Sequence, residues 1–236
     1  MFPMFFDPTY LLIVPALILA FWAQSRVQGT YARFSRIRAA NGMTGRQMAQ
    51  AIMTRNGIGD VSIAEVGGML SDHYDPRTKQ VSLSAGNYEG ASLAAIAVAA
   101  HEVGHVLQHK QGYAPLGIRA AIAPVAGFGS TLAFPLFFIG LFFFRGNGTV
   151  VGHWLLDAGI LFFSGAVLFH LITLPVEFDA SRRALVQLRE SGAVAPDEVA
   201  GAKKVLDAAA LTYVAAATMA ALQLLRLILI SRESRR

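Results

Sequence analysis

The chain of 236 residues contains no cysteine. That excludes thiolate metal sites, thiol proteases and disulfides, and leaves His, Asp and Glu as the available metal ligands. Charge is also scarce: 15% of residues are charged and 54% are hydrophobic, too apolar for an ordinary soluble domain. Neither an internal repeat nor a low-complexity tract interrupts the chain. No basic stretch precedes the first apolar run, so a cleaved secretory leader is not expected. The net charge of +5 does not point to nucleic acid. Its basic residues cluster beside apolar runs, as the flanks of membrane segments do, so the expected partner is a lipid bilayer and no nucleic acid.

Four apolar stretches carry that expectation. Tyr10 to Ala23, extended by the apolar residues from Phe2 onward, approaches spanning length. Arg26, Arg33, Arg36 and Arg38 follow it and by the positive-inside rule lie in the cytoplasm. Ile118 to Phe144 and Val150 to Leu174 are each long enough to span, and Arg145 to Gly148 between them reads as a tight external turn. Ala209 to Ile230 is the fourth stretch. It either crosses, against the charge rule because the basic tail SRESRR would lie outside, or packs on the rest of the protein or the bilayer surface. Three or four transmembrane helices are therefore expected.

The water-exposed stretches are 24–117 and about 175–208. In the first, TGRQMAQAIMTRNG predicts a short helix capped by Thr44 and stopped at Gly57. Val61–Val66 and Lys79–Ser84 have the β-branched alternation of strands, with a turn at Asp75-Pro76. The fold class expected is an α+β integral membrane protein. It is mostly helical, with a water-exposed domain containing a small sheet. Its organisation divides into an anchor at 1–23, that domain at 24–117, whose HEVGH helix gives it a zincin-like, peptidase character argued below, and a hairpin at 118–174. Two helices at 175–208 and an apolar C-terminal helix at 209–236 complete it.

The chemistry lies in HEVGH, residues 101–105. Four residues advance a helix by about 400° and about 6 Å, so His101 and His105 share a face and can hold one zinc ion. Glu102 then stands beside the metal, placed to take a proton from its water. A bare five-residue match arises by chance, and a helix with solvent-facing histidines would read the same. Against that, three of six histidines fall in nine residues, after the apolar run Ala91–Ala100. His109 is about 12 Å along the axis from His101, too far to share an ion bound at about 2 Å. The extended pattern HExxHxxGxxH is absent, since no His stands at position 111.

A third ligand must come from elsewhere. His153 falls near the external end of its span and His170 a turn or more inside the bilayer. Glu177 follows Pro175 where the chain leaves the membrane, and apolar spacing through Ala184 and Leu188 predicts that it begins a helix able to dock on the first. A helix-start glutamate favoured by the macrodipole would look the same.

DHYDPRTK (Asp72 to Lys79), AAHEVGHVLQH (Ala99 to His109), GYAPL (Gly112 to Leu116) and LPVEFDASRRAL (Leu174 to Leu185) together resemble the YugP-type membrane zinc metallopeptidases of bacteria. The resemblance runs through nearly the whole chain. It implies a gluzincin-like neutral zinc peptidase of the bacterial inner membrane, with His101, His105 and a downstream glutamate as zinc ligands. A more distant similarity is to the HtpX and CAAX-prenyl membrane proteases, whose third-ligand helix reads E-F-x-A-D. Here Ser181 replaces the last acid, and Asp179 could take that acid's place beside a histidine only on a rotated helix. Met69 to Tyr74 is the expected edge for pairing an extended peptide, and His73 or Tyr74 could reach the oxyanion.

The expected activity is a zinc-dependent endopeptidase acting on peptide or membrane-protein substrates at the cytoplasmic membrane face. Two rivals are an intramembrane zinc protease and a non-catalytic membrane scaffold with a zinc site. The apolar run before His101 is only about ten residues and no Asp-Gly partner motif follows in a later span, which disfavours the first.

Overall fold

Hydrophobic patterning of two kinds, long uninterrupted runs and short amphipathic segments, sorts this α+β membrane protein into two units. The computed structural model describes residues 8–147, 150–192 and 194–234. A 3-10 turn at Pro8–Leu12 precedes α1 (Val14–Phe34), α2 (Gly45–Arg55), β1 (Ser62–Val66), β2 (His73–Asp75), β3 (Gln80–Ser84) and α3 (Ala85–Tyr88). Four helices follow: α4 (Leu93–Lys110), α5 (Ala114–Asn147), α6 (Val150–Glu190) and α7 (Pro196–Ser234).

The first unit draws on the described residues of Met1–Trp22, Gly117–Leu174 and Tyr213–Arg236. Large apolar side chains such as Phe128, Phe142, Trp154 and Leu161 are more than 70% exposed. Lipid covers such faces at no cost, whereas water would not. Apolar surface gives no preference for helix over lipid, so association relies on close packing of small residues. A Cβ at Gly140 would lie 2.6 Å from the Leu156 amide nitrogen, and one at Gly159 would lie 2.8 Å from the Ala133 carbonyl oxygen. Phe137 and Leu156 fill the fully buried centre of this crossing.

Among the described residues, four helical segments are long and apolar enough to cross a membrane: Pro8–Phe34, Ala114–Phe143, Val150–Glu190 and Pro196–Ser234. The expected tight turn at Arg145–Gly148 is corrected in part. The backbone stays helical through Asn147, while Gly148 lies outside the described residues. The apolar residues from Phe2 to Phe6 also lie outside them.

The second unit comprises Ala23–Leu116 and Pro175–Thr212. Its centre is α4, buried almost continuously from Leu93 to Gln108. Met48 and Met53 of α2, Val81 and Leu83 of β3, and Leu188 of α6 belong to the same core. Thr44 and Gln47 form the capping box that starts α2, their side chains each accepting the other's backbone N–H at 3.2 and 2.9 Å. Gly57, at φ +63°, ends that segment.

The sheet has order β1-β3-β2, with β1 parallel and β2 antiparallel to β3. His73 pairs with Ser82 and Asp75 with Gln80, which leaves β2 at an edge. The expected edge at Met69–Tyr74 is therefore corrected to His73–Asp75. Gly68 at φ +98° and Leu70 at φ +53° prevent extension upstream.

Glu177 does not begin a helix. It sits well inside α6, which continues through Pro175. The proline forfeits one backbone hydrogen bond, and burial of Val176, Ala180, Ala184 and Leu188 outweighs that loss. Ala209–Ile230 is likewise part of a longer helix, α7, whose first turn carries Asp197 and Glu198.

Candidate metal centre

Ser92 starts α4 by accepting the Ala95 N–H at 3.2 Å. Two turns on, His101 and His105 project from one face, their rings 4.9 Å apart and nearly perpendicular. Glu177 of α6 meets them. Its Oε2 lies 3.2 Å from Nε2 of His101 and 3.6 Å from Nε2 of His105. One potential ligand atom from each residue falls within a 4.8 Å cluster. Glu177 and His105 are buried and His101 is nearly so.

The glycine of HEVGH makes this meeting possible. A Cβ on Gly104 would stand 2.4 Å from the carbonyl oxygen of Ala180 and 3.1 Å from its Cα. The helices therefore touch backbone to backbone, one turn from Glu177. Any side chain at position 104 would hold α6 away.

The outer ring nitrogens are also engaged. Nδ1 of His101 is 3.1 Å from the Ser181 hydroxyl, and Nδ1 of His105 is 3.0 Å from Oε1 of Gln108. Asp179 touches neither histidine. Its carboxylate accepts from the Gln108 amide at 3.0 Å and from Arg182 and Arg183. The α6 helix thus has the orientation that turns Glu177 inward, not the rotated one.

Glu102 is 7% exposed, and no described residue hydrogen-bonds its carboxylate. Burial raises its pKa above the usual carboxylate range, helped by Glu177 and Asp72 and opposed by His101 and His105. Burial alone would lower the pKa of His105. The Glu177 carboxylate 3.6 Å away and the charge of Glu102 outweigh it, so the ring is more basic than usual.

The other sequence candidates do not belong to this cluster. His73 is exposed on the sheet edge, with Nδ1 2.8 Å from the Ser71 carbonyl. The Tyr74 hydroxyl is 2.8 Å from Nδ1 of His109. That pair borders a cavity of about 280 Å³ whose wall includes Asp60, Val106 and Lys110. His153 and His170 belong to the apolar part of α6 and are outside the metal-ligand cluster.

Gly104 and Gln108 join the site without a motif to mark them, while Ser181, standing where the E-F-x-A-D pattern has its last acid, meets His101 with a hydroxyl instead. Helical spacing contains a signal for two of them. Gln108 follows His101 by seven residues and Ser181 follows Glu177 by four, which places each on the ligand-bearing face.

The family model described as "Putative neutral zinc metallopeptidase" matches residues 9–232. The chain is 45% identical over 225 residues to "Putative membrane protease YugP" of Bacillus subtilis (strain 168), across 95% of this chain and 96% of that protein. No solved structure matches it.

Proposed function

The chain belongs to the "Putative neutral zinc metallopeptidase" family, and from that premise we propose that it is a zinc-dependent membrane endopeptidase with His101, His105 and Glu177 as ligands and Glu102 as general base. The observation that carries this reading is the spacing of the Glu177 carboxylate from the two imidazole nitrogens. Two donors about 2 Å from one tetrahedral ion stand about 3.3 Å apart. The Nε2–Oε2 separations of 3.2 and 3.6 Å bracket that value. Two neutral imidazoles and a carboxylate form the donor set of a hydrolytic zinc site, with a fourth position left for water.

Zinc, when bound, supplies a Lewis acid that polarises the scissile carbonyl and makes water acidic enough to attack near neutral pH. The protein's own part falls to Glu102. Its carboxylate, on a residue only 7% exposed, takes the proton of the attacking water and returns it to the departing amine nitrogen. Ser181 and Gln108 hold the outer nitrogens of the two histidines, which keeps both rings turned inward. The edge strand β2 offers its open side to an extended peptide.

Four arginines after the first apolar run, Arg26, Arg33, Arg36 and Arg38, support a cytoplasmic site in the bacterial inner membrane. The helix bearing HEVGH is packed within a protein core, which favours this reading over cleavage within lipid. The three-residue ligand set with a free carboxylate beside it favours catalysis over a purely structural zinc. The test is Glu102→Gln. The variant is expected to retain about one zinc per chain and to lose cleavage of a quenched peptide. Cleavage at the wild-type rate refutes the assignment of Glu102.

A further inference from the structure

The two ring nitrogens of His105 have different neighbours. Nε2 faces Glu177, and Nδ1 faces Oε1 of Gln108 at 3.0 Å. Gln108 is fully buried. Its amide nitrogen donates to the Val176 carbonyl at 2.7 Å and to Oδ2 of Asp179 at 3.0 Å. A peptide carbonyl and a carboxylate only accept, so the amide can stand only with its NH2 on that side. Oε1 is thereby aimed at His105. It has no hydrogen to give, so Nδ1 must carry one. An imidazole protonated on Nδ1 presents the bare lone pair of Nε2, the form in which a metal accepts it.

Asp179 is itself held in place. Arg182 donates to one of its oxygens and Arg183 to the other. Arg183 also donates to Gln111, and its guanidinium lies 5.6 Å from the centre of the Tyr113 ring. A directed chain of contacts runs Arg183, Asp179, Gln108, His105 and joins α6 to α4. The contact at His101 is different in kind. The Ser181 hydroxyl can both donate and accept, so it orients the ring without dictating which nitrogen carries hydrogen.

We propose that Gln108 is the positioning residue for metal capture, holding His105 with hydrogen on Nδ1 and a bare Nε2 toward Glu177, and that Asp179 sets the direction of its amide. This rests on the zinc reading above.

The test uses full-length protein in detergent, with zinc affinity measured by competition with a chromophoric chelator. Gln108→Met keeps the length and apolar bulk but loses both polar ends, and affinity is expected to fall about 10- to 100-fold. Ser181→Ala is expected to cost less. Gln108→Glu sets a second carboxylate against Asp179 and is also expected to bind zinc weakly. Adding Asp179→Asn turns that opposing group into a donor, and the double variant Gln108→Glu, Asp179→Asn is expected to recover most of the affinity. Positioning is separated from simple bracing of the two helices by the nitrogen-15 shifts of His105 in zinc-free protein at a pH where the ring is neutral: hydrogen is expected on Nδ1 in the wild type and on both nitrogens in exchange in Gln108→Met, whereas an unchanged pattern overturns the positioning role. Wild-type affinity in Gln108→Met, or a double variant no better than Gln108→Glu, overturns the positioning role alone. A wild-type protein that binds no zinc overturns the metal site as well.

Discussion

Gly104 and Ala180 are in backbone contact: a Cβ added to the glycine would sit 2.4 Å from the alanine's carbonyl oxygen. That one approach fixes how near Glu177 comes to the two histidines. Gly104→Ala should therefore displace α6 at a cost of about 1–3 kcal/mol, the range for overpacking a tight interface, and zinc affinity should fall with it. Because the obstacle is backbone, Ala180→Gly should not restore binding. Chelator competition on the single and double variants checks both statements, and rescue by Ala180→Gly would show that the contact is misjudged.

The two acids of α6 should behave differently. Glu177 faces both histidines, so Glu177→Gln should strip most of the zinc and abolish cleavage. Asp179 contacts Gln108 and the two arginines, and Asn at this position can still accept from Gln108. Asp179→Asn should therefore retain substantial metal. Metal analysis of the purified variants decides it. Zinc lost from Asp179→Asn but kept by Glu177→Gln would mean that the third ligand is wrong.

The buried Glu102 carries a stability cost that pH should reveal. Its folded-state pKa is raised above the usual 4.5, chiefly by burial. The folded protein then holds the proton more tightly than the unfolded chain does. The stabilisation from that proton is whole below the unfolded value and is lost as pH rises through the raised folded one. Gln never ionises. Metal-free Glu102→Gln should thus unfold at a higher temperature than metal-free wild type at neutral pH, with the gap closing in acid. Thermal scans of the two proteins across that range test the sign, and a gap that widens toward acid contradicts it.

Membrane topology offers a test that needs no metal. A reporter fused after Arg38 or after Gly192 should read cytoplasmic, and one inserted at Asn147 should read external. An external signal at Gly192 would contradict the proposed hairpin and the cytoplasmic site.

Much of the protein could be read locally. Apolar length marks the membrane segments, Thr44 and Gly57 mark the ends of α2, and the four-residue interval between His101 and His105 places both rings on one face of any helix. Each of these depends on residues within one continuous segment, so local pattern and backbone geometry determine it. The rest depends on segments far apart in sequence. Glu177 follows His105 by 72 positions (177 minus 105), and no local periodicity sets the rotation of its helix. Packing at Gly104 and Ala180 does. The chain continues helically through Pro175 because the face from Val176 to Leu188 is buried, although proline by itself reads as a helix start. Gln108 and Ser181 lie at the right helical intervals, yet only the packed structure shows which histidine nitrogen each one meets. A hydrogen bond depends on distance and direction in space, and those were decided when α6 settled against α4.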